Sequence, residues 1–183
     1  MKGMVFTEFL EMVEEKFSLE LCDSMIEQAV TESDGVYTSV GTYNYKEMVA
    51  LVDALSALTH VPVSQLLKTF GEHLLGRFVA KFPQFFVGMS STFDFLPQIE
   101  RFVHLEVKKL YPDAELPSFS FNKVGPGRME MTYQSSRGLA DVAEGLIIGT
   151  MKHFGESLDL KRTDLKDDKS AAIFMITDPR LKQ

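Results

Sequence analysis

Two groups of residues in this chain have types and spacings that could do chemistry. The first centres on His104, one of four histidines in the 183 residues. On a helix read from about Ser91 to Leu110, the residues Leu96, Ile99, Val103, Val107 and Leu110 share one face. At about 100° per residue, His104 falls on the flank of that stripe. An imidazole there can project along an apolar wall and ligate a metal such as iron, for which it is a good donor. The second group is Tyr133-Gln-Ser135-Ser-Arg137. In an extended chain residues i, i+2 and i+4 share a face. All three of these side chains donate hydrogen bonds, and Arg137 adds a fixed charge and a planar fork suited to carboxylates. Met129 and Met131 precede them with the same parity and continue the face as apolar. An apolar wall ending in donors is what an amphiphilic cofactor with acidic tails needs. Each group also has a plainer reading. A histidine beside an apolar face is often structural, and polar residues at a strand end are often simply exposed. The residues alone leave both readings open.

Other chemistry is excluded by what is missing. His60, His73 and His153 form no i, i+4 pair with each other or with His104, so there is no helical zinc pair. The chain contains no HExxH, CxxC, GxSxG or Gly-rich phosphate loop, and Gly125-Pro-Gly127 between two strands reads as a hairpin turn. No motif points to an enzyme. Net charge is −7, from 19 basic and 26 acidic residues, which disfavours nucleic-acid binding and an anionic membrane surface. The single Cys22 forms no intrachain disulfide and reads as a small core residue; a reducing compartment is the simplest context. The N-terminal stretch MKGMVFTEFLEMVEEKF is interrupted by four glutamates and is no signal peptide. No run reaches the roughly 20 apolar residues of a membrane span. A cytoplasmic protein is expected.

The elements that must position these groups follow from periodicity. Met4, Phe6, Phe9, Leu10, Val13 and Phe17 fit an amphipathic helix. Further helices are expected at about Leu19–Thr31, Tyr45–Thr59, Pro62–Lys81, Ser91–Leu110 and Leu139–Phe154. Ser33–Asn44 reads as a loop, and Phe82-Pro83 as a break. From Leu116 the pattern changes to period two: Phe119 and Phe121 alternate with polar residues, MEMTYQSS follows the GPG turn, and Leu158–Thr163 and Ala171–Thr177 are two last strands. Helices followed by an antiparallel sheet with one inserted helix make an α+β chain, with a size suited to one domain over 1–183.

The start MKGMVFTEFLEMVEEKF, the segment KFPQFF at 81–86, His104 and Tyr133-x-Ser135-x-Arg137 together resemble the haem–nitric-oxide/oxygen-binding (H-NOX) family, which includes the haem domain of soluble guanylate cyclase. The likeness covers essentially the whole chain. It implies a helical portion over about 1–112, packed on a portion over about 113–183 that holds a four-stranded antiparallel sheet with an inserted long helix, with haem b between them. By this resemblance His104 is the iron ligand, and Tyr133, Ser135 and Arg137 hold the propionates. Pro117 presses on the haem, and Val5, Phe9, Leu74, Phe78, Val142 and Leu146 line the pocket. Oxygen-binding members carry a distal tyrosine where this chain has Val142; the expected neighbours Phe9 and Leu74 are apolar, and no tyrosine follows Tyr133. The resemblance therefore implies a nitric-oxide sensor, binding nitric oxide and carbon monoxide. Because the chain stops soon after the last strand, the output is expected from a separate histidine kinase or cyclic-di-GMP enzyme. A gas or haem carrier without signalling, and a haem-free adaptor, are the other readings.

Overall fold

The computed structural model describes residues 1–181. Helices α1 (Gly3–Lys16), α2 (Leu19–Ala29), α3 (Tyr45–Thr59) and α4 (Val63–Lys81) come first. After α4 come a 3-10 turn (Pro83–Phe85), the short α5 (Thr92–Phe95), a π-helical turn (Ile99–Val103) and α6 (His104–Leu110). Strands β1 (Ser118–Gly125) and β2 (Arg128–Gln134), helix α7 (Ala140–His153), and strands β3 (Asp159–Asp164) and β4 (Ala171–Thr177) complete the order, ahead of a last 3-10 turn. The fold is α+β, as the residue pattern requires. No single helix among the described residues is long and apolar enough to cross a membrane.

Local signals set most of these boundaries. Ser18, Asn44 and Ser91 cap α2, α3 and α5 by accepting backbone N–H bonds from Leu21, Lys46 and Asp94, satisfying donors that a helix start leaves unpaired. One element departs from expectation. The single helix read over 91–110 is broken into α5, a π turn and α6. Pro97 has no N–H to continue the ladder of α5, and the chain re-enters helical geometry only through the wider π turn. That turn ends at His104, whose N–H donates to the carbonyl of Ile99.

Two compact units divide the chain, Met1–Phe70 and Gly71–Gln183. The division falls inside α4 rather than near residue 112, so the later helices belong with the sheet. In the first unit, α1 to α3 and the start of α4 bury Phe6, Phe9, Met12, Cys22, Met25, Leu51 and Leu55. Cys22 is thus a core residue, and burial pushes its thiol up to about 11. Tyr37 stacks on Phe6 at 4.4 Å and donates to the buried Glu47 at 3.0 Å. Glu47 also accepts from Ser33 N–H and hydroxyl, which anchors the loop before α3.

In the second unit the four strands form one antiparallel sheet in the order β1-β2-β4-β3. The β1–β2 connection carries Pro126 and then Gly127 at φ 61°, a left-handed position that glycine takes without strain. Met129, Met131 and Tyr133 all point to the buried face of β2, and Phe174 and Ile176 do so from β4. Helix α7 supplies Ala140, Ala143 and Ile147 to the same core, and Phe86 of the FPQFF segment stacks on Phe95 at 4.4 Å. Helices α4 and α7 meet closely at Gly71, where a Cβ would lie 2.3 Å from the Val142 carbonyl oxygen. The first turn of α7 is tied down by Asp141, which is 3% exposed and accepts from Arg162 at 2.6 Å and Lys169 at 2.7 Å.

Candidate cofactor site

His104 opens α6 directly after the π turn, and its side chain is 13% exposed. Nδ1 lies 3.2 Å from Oε1 of Glu100. The same oxygen accepts the backbone N–H of Phe119 at 2.7 Å. Burial lowers the pKa of the imidazole, and Glu100 opposes that only in part. In this geometry Nδ1 donates to Glu100, which leaves Nε2 as the ring nitrogen placed to ligate. The imidazole sits against the ring of Phe119 at 5.5 Å, and the far neighbour of that ring is Tyr133 at 5.8 Å. Phe119 therefore stands between the two groups of residues singled out above.

Tyr133 is 2% exposed. Its hydroxyl oxygen accepts the Leu139 N–H at 3.1 Å. Burial raises the phenol pKa, with Ser135 acting against the rise, so Tyr133 stays protonated. Ser135 Oγ accepts the Arg137 N–H at 3.2 Å. A hydroxyl has one O–H and two lone pairs, so the Tyr133 oxygen, with the Leu139 N–H on one lone pair, keeps its O–H to donate, while the Ser135 hydroxyl is also hydrogen-bonded to Tyr133. The arrangement differs from the one expected. Strand β2 ends at Gln134, and Ser135–Arg137 lie in the turn beyond it rather than on one extended face. Ser135 N–H donates to the Ser170 carbonyl at 2.8 Å, one pair beyond the last pair of the β2–β4 ladder, so the chain turns only after Ser135. The turn swings the Arg137 guanidinium onto Glu115, where Nη1 donates to the backbone oxygen at 3.0 Å and Nη2 to Oε2 at 3.1 Å. Arg137 thus holds the segment leading into Pro117, which is half-buried immediately before β1.

The remaining candidates fall in two places. Leu74 and Phe78 are i, i+4 on α4, and Val142 and Leu146 are i, i+4 on α7, the two helices that meet at Gly71. Leu74 is buried, and Phe78, Val142 and Leu146 are half-buried. Val5 and Phe9 lie on α1 in the first unit, where Phe9 packs edge-on against Phe70 at 5.1 Å. Glu100, Glu115 and Phe119 were not singled out by sequence reasoning. Glu100 had a visible signal, the i, i+4 spacing to His104.

No cluster of three or more His, Cys, Asp or Glu among the described residues could hold a metal ion. A metal at His104 must therefore bring most of its ligands with it. A haem would do that, since its macrocycle carries the iron and needs an imidazole such as that of His104 from the chain. The profile of the Haem-NO-binding family matches residues 2–162. The chain belongs to the haem-NO-binding (H-NOX) family. Its cofactor is haem, and the half-buried His104 imidazole, the apolar rows and the O–H and guanidinium donors fit that group. The H-NOX fold is matched over nearly the whole chain by a variant of the Fe(II) unliganded H-NOX protein from K. algicida, at 41% identity and TM-score 0.91, covering 97% of this chain and 96% of that one. The IWP-051-bound H-NOX from Shewanella woodyi, in its Fe(II)CO state, is 39% identical with TM-score 0.83, covering 100% of this chain and 97% of that one. The H-NOX protein from S. oneidensis in its Fe(II)NO state shares the fold, with TM-score 0.83 at 23% identity, covering 96% of this chain and 98% of that one. Comparison with curated protein sequences yields no match. H-NOX domains are gas-binding haem domains, and this chain is one of them.

Proposed function

We propose that this H-NOX chain is a nitric-oxide sensor, with His104 as the axial ligand, that regulates a separate histidine kinase or cyclic-di-GMP enzyme. The observation that carries the choice of gas is the apolar character of Leu74 and Val142 on the adjoining helices α4 and α7. Haem supplies the ferrous iron at which a diatomic gas coordinates. Bound oxygen is held by a hydrogen-bond donor in the pocket, whereas nitric oxide binds ferrous iron without one. Leu74, Phe78, Val142 and Leu146 offer no side-chain donor, nor do Val5 and Phe9. Their role is to exclude water and to leave the gas without a polar partner. The ferrous protein is expected to take up nitric oxide and carbon monoxide and to form no lasting oxygen complex in air. Absorption spectra under each gas check this, and a stable oxy spectrum at room temperature overturns it.

The same reading assigns the propionates to Tyr133, Ser135 and Arg137, and contact with the ring to Pro117. Charge-assisted hydrogen bonds contribute about 1.5–3 kcal/mol each. Arg137→Ala should therefore raise the haem dissociation rate by at least about tenfold, and by more than Ser135→Ala does. Transfer of haem to excess apomyoglobin measures both rates. Equal rates for Arg137→Ala and the parent would remove Arg137 from the site. The signal, on this reading, is the release of His104, which frees α6 to move relative to β1. A partner reads the change only by binding the two states unequally, with a coupling typically of about 1–3 kcal/mol.

A further inference from the structure

We infer that Glu100 is a positioning residue for the iron ligand, fixing the His104 tautomer and tying the imidazole to strand β1. The inference rests on the reading of His104 as that ligand. One carboxylate oxygen serves two donors, His104 Nδ1 at 3.2 Å and Phe119 N–H at 2.7 Å. The second bond distinguishes this pair from an ordinary surface ion pair of negligible strength. It locks the carboxylate against backbone, so the imidazole meets an acceptor that is already oriented. With its hydrogen held on Nδ1, the ring presents the Nε2 lone pair and no other. Histidines that ligate metals commonly donate their second N–H to a carboxylate, which sets ring orientation and raises donor strength. Glu100 lies in the π turn that ends at His104, and Phe119 lies two residues after Pro117. The carboxylate therefore joins the ligand helix to the strand that starts beside the expected propionate and ring contacts. The Phe119 ring supports the same imidazole at 5.5 Å.

Two variants separate charge from shape. Glu100→Gln keeps an oxygen that accepts both N–H groups but removes the negative charge; Glu100→Ala removes both bonds. In apoprotein labelled with ¹⁵N-histidine, NMR of the parent should show His104 as the Nδ1–H tautomer, and Glu100→Ala should show loss of that preference together with faster exchange of the Phe119 amide. In ferrous holoprotein, resonance Raman should place the iron–histidine stretch highest in the parent, lower in Glu100→Gln and lowest in Glu100→Ala. Haem dissociation should accelerate by roughly 10–100-fold in Glu100→Ala, as for other outer partners of metal-bound histidine. Superimposable stretches in the parent and Glu100→Gln, or an Nε2–H tautomer in the parent apoprotein, would overturn the inference. A parent lacking any His104-dependent stretch would defeat the assignment of the ligand instead. The apoprotein tautomer and the Phe119 amide still decide the Glu100 bond in that case. If Glu100→Ala does not fold, Glu100→Gln alone decides.

Discussion

His104→Gly is expected to abolish stable haem retention, and imidazole in the buffer is expected to restore it. The glycine removes the imidazole proposed to hold the iron and leaves a space of imidazole size beside Phe119. Free imidazole can enter that space and donate to Glu100, but it has no covalent tie to α6. The rescued protein should therefore carry haem with a near-normal ferrous spectrum while its axial ligand no longer pulls on the helix. In an assay with the proposed partner kinase, it is expected to act on autophosphorylation without nitric oxide, as is expected of the gas-bound parent. Haem content after gel filtration, with and without imidazole, checks the first part. Full haem content in the unrescued variant would remove His104 as the ligand. A rescued variant that behaves in the kinase assay like the unliganded parent would show that release of this helix is not the switch.

The second large effect concerns stability and lies away from the iron. Asp141→Asn should destabilise the protein by about 3 kcal/mol, the lower end of what is lost when one partner of a buried ion pair is removed. The lower end applies because Arg162 retains Glu144 and Asp164 as partners. For a chain of this size that amounts to roughly 6–12 °C in Tm. Burial alone would raise the Asp141 pKa, but the Lys169 and Arg162 hydrogen bonds outweigh it and leave the carboxyl below its ordinary value. A depressed folded-state pKa contributes stability above the unfolded value, and that contribution is lost as the pH falls through the folded value. The gap between parent and variant should therefore be full at neutral pH and should close below about pH 4. Thermal unfolding of the apoprotein across that range measures it. A gap that is independent of pH would show that the carboxylate charge contributes nothing.

The sequence made the elements legible where local chemistry rules. Helix α3 begins after Asn44 and ends at Thr59 as expected, because a side-chain cap and the Val61-Pro62 step are both local signals. The alternation of Met129, Met131 and Tyr133 predicts the buried face of β2 for the same reason. The failures lie where partners are distant in sequence. Pro97 was visible as a break, but recovery through a π turn at Ile99–Val103 carries no local sequence signal. The period-two pattern places Tyr133, Ser135 and Arg137 on one extended face, whereas Ser135–Arg137 lie in the turn after β2 and the Arg137 guanidinium is held by Glu115, 22 residues earlier in the chain. Glu115 and Phe119 could not be recognised from spacing. Their contacts with Arg137 and His104 come from the way the segment before β1 lies against the end of β2 and the π turn.

The strand order has a consequence for how the molecule assembles. Tyr133 pairs with Phe119 across a separation of 133 − 119 = 14 residues, and with Ala172 across 172 − 133 = 39. Loop-closure entropy grows with the logarithm of length, so the second pairing is about 0.9 kcal/mol harder to close than the first. Short closures also form sooner. Glu100 meets Phe119 at a separation of 19 residues and Phe119 meets Tyr133 at 14, so the proposed iron-ligand face is built from nearer partners. The β2–β4 ladder is not. Folding that runs through the β1–β2 hairpin leaves the docking of β4 as a late event, and Met129 and Met131 stay open to solvent until β4 and α7 cover them.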